Sequence, residues 1–417
     1  MNINNNGIGR WQGAGMMATT LLGTGVFILP QLTVEMSGSN AIYAWLLLTF
    51  GLLPITYIFG KLSSIHPHSR GPAYFVEQAF GETAGRMIGL MFLLVVPIGT
   101  PAAVIMTFQF IQGMIAINGL QLLFAELSAL VCLYLLNRKG IHVSAKLQFL
   151  LTLVIITIIM LLFLSSNGQV NTVTPAYTHF ESSLVFQAAG LAFWSFLGVE
   201  AMSHLANEFK RPAKDVIPAM IIGSALVGIV YVISTVLVLN HPNDAKLAIV
   251  GVFDQFFDNG SYIIGILGAA GGLATINVYT ASLAKLVASF AEQGVLPKAL
   301  AHTNQHRVPH RALSTVLLIM AIVLVITHFT GQDLEDLINW VNGVFVLIYL
   351  ATMASAWVLI NKKHRPTIVL GFSACFALMF GIGPHMIYAI LLIAILLPLV
   401  KWQKRKILPN QQVSKLT

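Results

Sequence analysis

Leu22-Gly23-Thr24-Gly25-Val26-Phe27 sets two glycines in the middle of the first long apolar run of this 417-residue chain. Glycine costs a helix interior roughly 1 kcal/mol per residue relative to alanine. Within a bilayer, backbone released from the helical ladder is tolerated only where protein covers it or where it lines a cavity. A helix broken here therefore points to a binding site at membrane depth, which is how carriers build their sites. A second break, Phe193-Trp194-Ser195-Phe196-Leu197-Gly198-Val199-Glu200, follows five apolar runs later. The pair points to a carrier.

Composition agrees. The chain is 57% hydrophobic and 9% charged, against about 25% charged residues in a soluble domain. Apolar segments of about 20 residues run over 11–34, 41–63, 83–112, 119–136, 145–165 and 183–207, then 217–240, 261–290, 312–330, 334–360, 366–382 and 384–400. This predicts an all-α integral membrane protein of twelve transmembrane helices. The last division rests on Gly381-Ile382-Gly383-Pro384 alone. The first run is too long for a signal-peptide core and is read as a retained span. Cys132 and Cys375 lie inside apolar segments and are expected as two buried free thiols.

The cations fix the orientation. With the N-terminus inside, every Lys and Arg except Lys246 falls on the inner side, from Arg10 through Arg307 and Lys401 to Lys415. The opposite loops carry Asp244, Asp254, Asp258, Asp333, Glu335 and Asp336. This asymmetry is the positive-inside pattern, with both termini cytoplasmic. It accounts for the net charge of +8 without a nucleic-acid partner. Five spans separate the breaks, so the broken helices 1 and 6 run in opposite directions. That is the geometry of a 5+5 inverted repeat, helices 1–5 over about 11–165 and helices 6–10 over about 183–360. Two C-terminal helices over 366–400 stand outside it, as scaffold or dimer contact, followed by a cytoplasmic tail at 401–417 whose polar end, Pro409 to Thr417, is expected to be unstructured.

At the first break, a half-helix beginning near Val26 offers unpaired N–H groups and the positive end of its dipole, which bind a carboxylate without a cationic side chain. Thr24 adds a hydroxyl, and Gly25 lets a ligand approach the backbone. At the second, carbonyls over about Phe193 to Ser195 offer acceptors for an ammonium group. An α-amino acid has both ends; the alternative is that these glycines only let helices pack closely. The wall formed by Phe193, Trp194, Phe196 and Leu197 is aromatic and apolar, and no acidic cluster accompanies it. That favours a neutral side chain, because an unmatched buried charge is costly.

The chain resembles the amino acid–polyamine–organocation transporters over nearly its whole length. The first break matches that family's Gly-Ser-Gly-Ile/Val-Phe signature with Thr24 in place of serine, and the second matches Trp-Ser-Phe-Ile-Gly-Val-Glu. Glu208-Phe209-Lys210-Arg211-Pro212 with Pro218 matches the family's next conserved segment, and Ser282 to Pro297 resembles its eighth helix and loop. Within the family, Phe193 to Phe209 is most similar to inner-membrane exporters of L-methionine and branched-chain amino acids. The resemblance implies export of methionine, leucine, isoleucine and valine by alternating access. It assigns the carboxylate to Gly23, Thr24 and Gly25, and the amine and pocket shape to Phe193, Trp194, Ser195, Leu197 and Gly198. Glu200 stands beside the gate. The chain departs from the family at Arg70-Gly71-Pro72, where paired glycines are usual, and at Val154 and Ile155, where several proton-coupled members carry a lysine.

Three ionisable residues at depth are candidates for gating or coupling. Glu200 starts the second half-helix, where it either caps or couples. Glu126 lies in the fourth span with no cation near it in sequence, and either titrates or is held structurally. Lys285 lies toward the inner end of the eighth span, where it can snorkel. The glycines Gly265, Gly268, Gly271 and Gly272 are read as packing surface, and Pro97 and Pro101 as a kink. No His-Glu-x-x-His pattern or nucleotide-binding loop is present. No cofactor or metal is expected, and an ion gradient (protons) or substrate exchange must drive transport. The rival reading is an importer or exchanger of cationic amino acids or polyamines. An enzyme would need a nucleophile–base pair or paired aspartates within the spans, and a sensor would need an extramembrane domain.

Overall fold

A computed structural model describes residues 8–68, 70–139, 145–166, 179–292, 294–306 and 308–413. Arg307 and Lys415, two of the cations expected on the inner side, lie outside these residues. The elements are α1 (Arg10–Leu22), α2 (Gly25–Ser37), α3 (Asn40–Ile65), α4 (Pro72–Phe80), α5 (Glu82–Met114), α6 (Leu120–Arg138), α7 (Ala145–Ser165) and α8 (Ser182–Ala192). They continue with α9 (Val199–His204), α10 (Pro212–Asn240), α11 (Ala248–Phe256), α12 (Gly260–Glu292), α13 (His310–Thr330), α14 (Leu334–Leu359), α15 (Arg365–Ile382) and α16 (Met386–Val413). Among the described residues the only extended pairing is an isolated parallel bridge between Ile8 and Phe209.

By length and apolarity, nine helices among the described residues can cross a membrane, or ten if α1 and α2 count as one span bent by 49°. Large apolar side chains such as Phe50, Phe124, Ile229, Phe329 and Phe380 stand exposed on the outer faces, as a bilayer solvent allows. Cys375 is buried, but Cys132 is exposed. It sits on the outward face of α6, so the expectation of two buried thiols holds for one.

Three features differ from the sequence reading. First, α4 is a short helix where a loop was expected. Pro72 occupies the first turn of α4 after Gly71 (φ +48°), and Gly81 (φ +90°) ends it; proline there costs no hydrogen bond and its φ is already helical. The departure at Arg70-Gly71-Pro72 is thus a helix start, braced by a bidentate Arg70–Glu77 pair at 2.6 and 3.2 Å. Second, α11 buries Ile249, Val250, Val252 and Phe253; nine residues are too few to register as a span, and the flanking acids read as loop. Third, α16 continues through the expected tail to Val413, so Pro409 to Val413 are helical where an unstructured end was expected. Lys401 to Lys406 are good helix formers apart from Trp402, and no glycine interrupts the segment. Residues 414–417 of the expected tail lie outside the described residues. The Gly381–Pro384 division holds as a 3-10 turn, Gly383–His385, with Gly383 at φ +56°. Helix α5 runs unbroken through Pro97 and Pro101.

The packing that positions the breaks is close. Helix α10 lies against α3 and α1, α12 against α5, and α15 against α8. A Cβ on Gly381 of α15 would overlap the carbonyl oxygen of Phe186 on α8, and one on Gly190 would come within 2.8 Å of the Gly381 backbone. Only glycine on both sides lets these backbones touch.

Candidate functional site

The first break is a two-residue interruption. Gly23 ends α1 at φ +40°, ψ −139°, a conformation that a Cβ disfavours. Thr24 leads into α2 and makes no side-chain cap bond. The carbonyls that end α1 are met from α10. Tyr231, fully buried, donates its hydroxyl toward Leu22 O at 3.3 Å and Leu21 O at 3.5 Å. Its ring stacks on Trp45 with centroids 4.3 Å apart, and Trp45 Nε1 donates to Thr33 Oγ1 at 3.0 Å. A Cβ on Gly25 would stand 2.7 Å from Tyr231 Oη. Gly25 is therefore small for this tyrosine as well as for the cavity it borders.

In the second break, α8 gives way to a 3-10 turn, Phe193–Phe196, then extended Leu197 and Gly198 at φ +135° before α9. Its freed carbonyls are also met by side chains. Asn342 of α14 donates Nδ2 to Gly190 O at 2.8 Å and Leu191 O at 3.1 Å. Ser195 donates to Ala192 O, and Tyr349 donates to Phe196 O at 3.2 Å. The Tyr349 hydroxyl also lies 2.6 Å from Glu200 Oε2, which accepts from Gly198 N–H at 3.1 Å. Glu200 Oε1 is buried and has no protein partner. The two breaks meet: a Cβ on Gly198 would come 2.7 Å from Thr20 Cγ2.

Between the breaks lies a cavity of about 80 Å³. Gly23, Thr24 and Gly25 border it from the first break, and Trp194 and Leu197 from the second. Helix α5 supplies Val96, Gly99, Thr100 and Ala103, α10 supplies Tyr231, α12 supplies Gly272, Thr275, Ile276 and Tyr279, and α14 supplies Val341 and Phe345. No lining residue is acidic or basic. A smaller cavity of about 50 Å³ shares Thr20, Gly23, Thr275 and Tyr279 with it and reaches Thr152 and Ile155 of α7.

The sequence candidates divide accordingly. Gly23, Thr24, Gly25, Trp194 and Leu197 line the cavity. Phe193 and Ser195 do not, because the 3-10 turn carries them to its far side, and Gly198, beyond the turn, faces Thr20 and Leu21 of α1. Phe193 is fully buried, edge-on to Tyr349 at 5.4 Å, and the Ser195 hydroxyl is bonded to its own turn. The carbonyls expected to take an amine are in part taken, since Trp194 O accepts from Leu197 N–H at 3.1 Å. Glu200 lies behind the wall. Glu126 is buried on α6 and Lys285 is exposed on α12, neither of them lining the cavity. Gly265 and Gly268 are packing glycines, against Met114 and Phe110, whereas Gly271 borders the smaller cavity and Gly272 the larger. Sequence reasoning missed Tyr231, Tyr279, Asn342 and Tyr349. A lone polar group within an apolar span needs a partner, and that signal was present at Tyr231 and Asn342.

The family profile described as Amino acid permease matches residues 8–408. The chain is 34% identical over 394 residues to the L-methionine/branched-chain amino acid exporter YjeH of Escherichia coli (strain K12), covering 93% of this chain and 94% of the relative. It is 28% identical to the uncharacterized amino acid permease YecA of Bacillus subtilis (strain 168), over 84% and 85%. An arginine/agmatine antiporter of Chlamydia pneumoniae is 24% identical over 85% and 78%.

Proposed function

This chain belongs to the amino acid permease family, a family of transporters rather than enzymes, and on that premise we propose that it exports neutral amino acids by alternating access. The substrates are L-methionine, leucine, isoleucine and valine, moved outward across the inner membrane by an ion gradient, with protons as the coupling ion. The fold assigned to it is twelve spans, with helices 1–5 and 6–10 as an inverted repeat and α15 and α16 outside it. Both termini face the cytoplasm, on the evidence of the loop cations.

The observation that carries this reading is the uncharged cavity between the breaks. It is bordered by the N-terminus of α2, where the Phe27 N–H already meets Thr24 O at 3.2 Å and the Gly25 and Val26 amides precede the helical ladder. There a carboxylate finds backbone donors, the dipole's positive end and the Thr24 hydroxyl. Val96, Gly99, Val341 and Phe345 offer an apolar surface, with Val341 and Trp194 set against Gly99. A guanidinium or a second ammonium would be buried there without a counter-charge, at a cost of several kcal/mol. Glu200, joined through Tyr349 to α14, is the group that ties the second break to the rest of the bundle as the site opens and closes. Neither Glu126 nor Lys285 borders the cavity.

Labelled methionine flux into inside-out vesicles tests the reading, with and without an imposed pH gradient. Flux that leucine competes away, that arginine leaves alone and that the gradient drives is the expected result. Competition by arginine would overturn the neutral-substrate assignment, and indifference to the gradient would overturn proton coupling.

A further inference from the structure

Four glycines line the cavity, and three are fixed by their surroundings. Gly23 has a positive φ, a Cβ on Gly25 would stand 2.7 Å from Tyr231 Oη, and one on Gly272 would overlap the Thr107 hydroxyl. Gly99 is different. It lies inside α5, outside the positive-φ glycines. A Cβ there would meet Val341 Cγ1 and Cγ2 at 3.5 Å and Trp194 Cη2 at 3.6 Å, which are ordinary contact distances. Alanine is the better helix former and would fit, so neither backbone nor packing demands glycine at this position. What glycine leaves is room.

That room is at the apolar end. Val96, Gly99, Thr100 and Ala103 follow the spacing of one helical face and border the cavity together. A methyl on Gly99 would fill the gap between α5 and the pair Val341 and Trp194. Gly272 stands against Thr24 of the first break, whereas Gly99 stands against Val341 and Trp194, so on the proposed reading a ligand held by its carboxylate at the α2 N-terminus turns its side chain toward Gly99.

We propose that Gly99 sets the length of the side chain the carrier admits, its missing methyl being the space taken by the far end of a long unbranched or γ-branched substrate. The inference rests on the reading of this cavity as an amino-acid site. An apolar pocket discriminates by roughly 10- to 200-fold per methylene. Filling one methyl's worth of depth should therefore penalise methionine and leucine far more than valine.

The test is transport by purified protein in liposomes, comparing wild type, Gly99→Ala and Gly99→Val with labelled methionine, leucine and valine. The expected result is a fall of about tenfold or more in the methionine-to-valine ratio of kcat/KM for Gly99→Ala. Valine transport should fall least of the three, and a thermal unfolding midpoint of the solubilised variant close to that of wild type shows that it folds. Gly99→Val should lower the ratio further; if it does not fold, the alanine variant decides alone. An unchanged ratio, or an equal loss for all three substrates, would overturn the inference and make Gly99 a packing residue. Wild-type protein that moves none of the three would instead overturn the functional reading beneath it.

Discussion

The contact between Gly25 and Tyr231 lets a double-mutant cycle measure how the first break is held. Tyr231→Phe keeps the ring stacked on Trp45 at 4.3 Å but removes the donor from Leu21 O and Leu22 O. Carbonyls at a helix C-terminus have no amide to turn to, and a buried acceptor left unpaired costs about 1–3 kcal/mol. Gly25→Ala attacks the same bonds from the other side. Its methyl would lie 2.7 Å from Tyr231 Oη, and a fully buried tyrosine pinned by a stacked indole cannot swing away. The second near atom, Leu29 Cδ1 at 3.1 Å, is the tip of a flexible side chain and yields. Lost hydrogen bonding and overpacking, about 1–3 kcal/mol each, put this substitution at or above the cost of the first. In the double variant the phenylalanine has no oxygen to clash with, so the methyl finds space. Its cost should be close to that of Tyr231→Phe alone, a departure from additivity of about 1–3 kcal/mol. Equilibrium unfolding of the detergent-solubilised wild type, both single variants and the double variant measures the cycle. Additivity within about 0.5 kcal/mol, the behaviour of independent sites, would refute the reasoning.

Gly381→Ala should destabilise the fold by about 1–3 kcal/mol or more, since its methyl would overlap the Phe186 carbonyl. Gly113→Ala, with nothing within 4 Å of the new methyl, is the neutral control, and thermal unfolding of the two variants decides. Asp215→Asn should free the segment that opens α1. Asp215 is buried and pairs with Arg211 at 3.1 Å and Arg10 at 3.9 Å, beside the backbone bonds Ile8 N–H to Glu208 O and Lys210 N–H to Ile8 O. Faster hydrogen exchange at the Ile8 and Lys210 amides is the expected outcome, and unchanged exchange would count against it. Acidification should loosen the start of α4. Burial, then the charge of Arg70, holds the His68 imidazole below its usual pKa, while its Nδ1 accepts from Arg70 N–H at 3.1 Å. The unfolded segment thus binds more protons than the folded one as pH falls below about 6.5, so stability is present above that value and declines beneath it. Exchange protection at Tyr74 and Phe75 should drop between pH 7 and pH 5.5 and should not drop in His68→Gln.

The breaks were legible because their cause is local. Gly23 and Gly198, both of positive φ, interrupt runs whose apolarity was plain, and the helix borders follow those runs within a few residues. The short helices were not legible for the opposite reason. Helix α11 forms because Ile249, Val250, Val252 and Phe253 find a surface to cover, and that surface belongs to the tertiary structure. The same holds for the cavity. Gly23, Thr24, Gly25, Trp194 and Leu197 carry a motif and could be named, whereas Val96, Gly99, Val341 and Phe345 are apolar residues in apolar spans. Nothing in the chain distinguishes them from neighbours that face lipid. Phe193 and Phe196 were expected in the wall and Ser195 among the acceptors for the amine, because a motif names residues without saying how the backbone turns them. The backbone coils into a 3-10 turn, whose period of three brings Trp194 and Leu197 to the cavity and turns the residues between them away.

Helix ends inside a bilayer must be satisfied somewhere, and where each is satisfied divides the labour between the breaks. Both carbonyl ends are closed by side chains: Tyr231 serves Leu21 and Leu22, Asn342 serves Gly190 and Leu191, and Tyr349 serves Phe196. The amide end of the second break is closed too, Gly198 N–H donating to Glu200. The amide end of the first break has no such cap, since the Thr24 side chain makes none, and its residues border the cavity. On the proposed reading this is where the substrate carboxylate completes the structure. An anion there gains donors already aligned and oriented, with no ordering left to supply. The second break then needs no ligand to be stable, and its hydrogen bonds to Asn342 and Tyr349 of α14 make it the part that transmits movement. Thr24→Val and Tyr349→Phe should therefore separate. The first raises the substrate concentration needed for half-maximal flux, and the second lowers the maximal rate at saturating substrate. A pure rate defect in Thr24→Val, or a pure affinity defect in Tyr349→Phe, would show that this division is wrong.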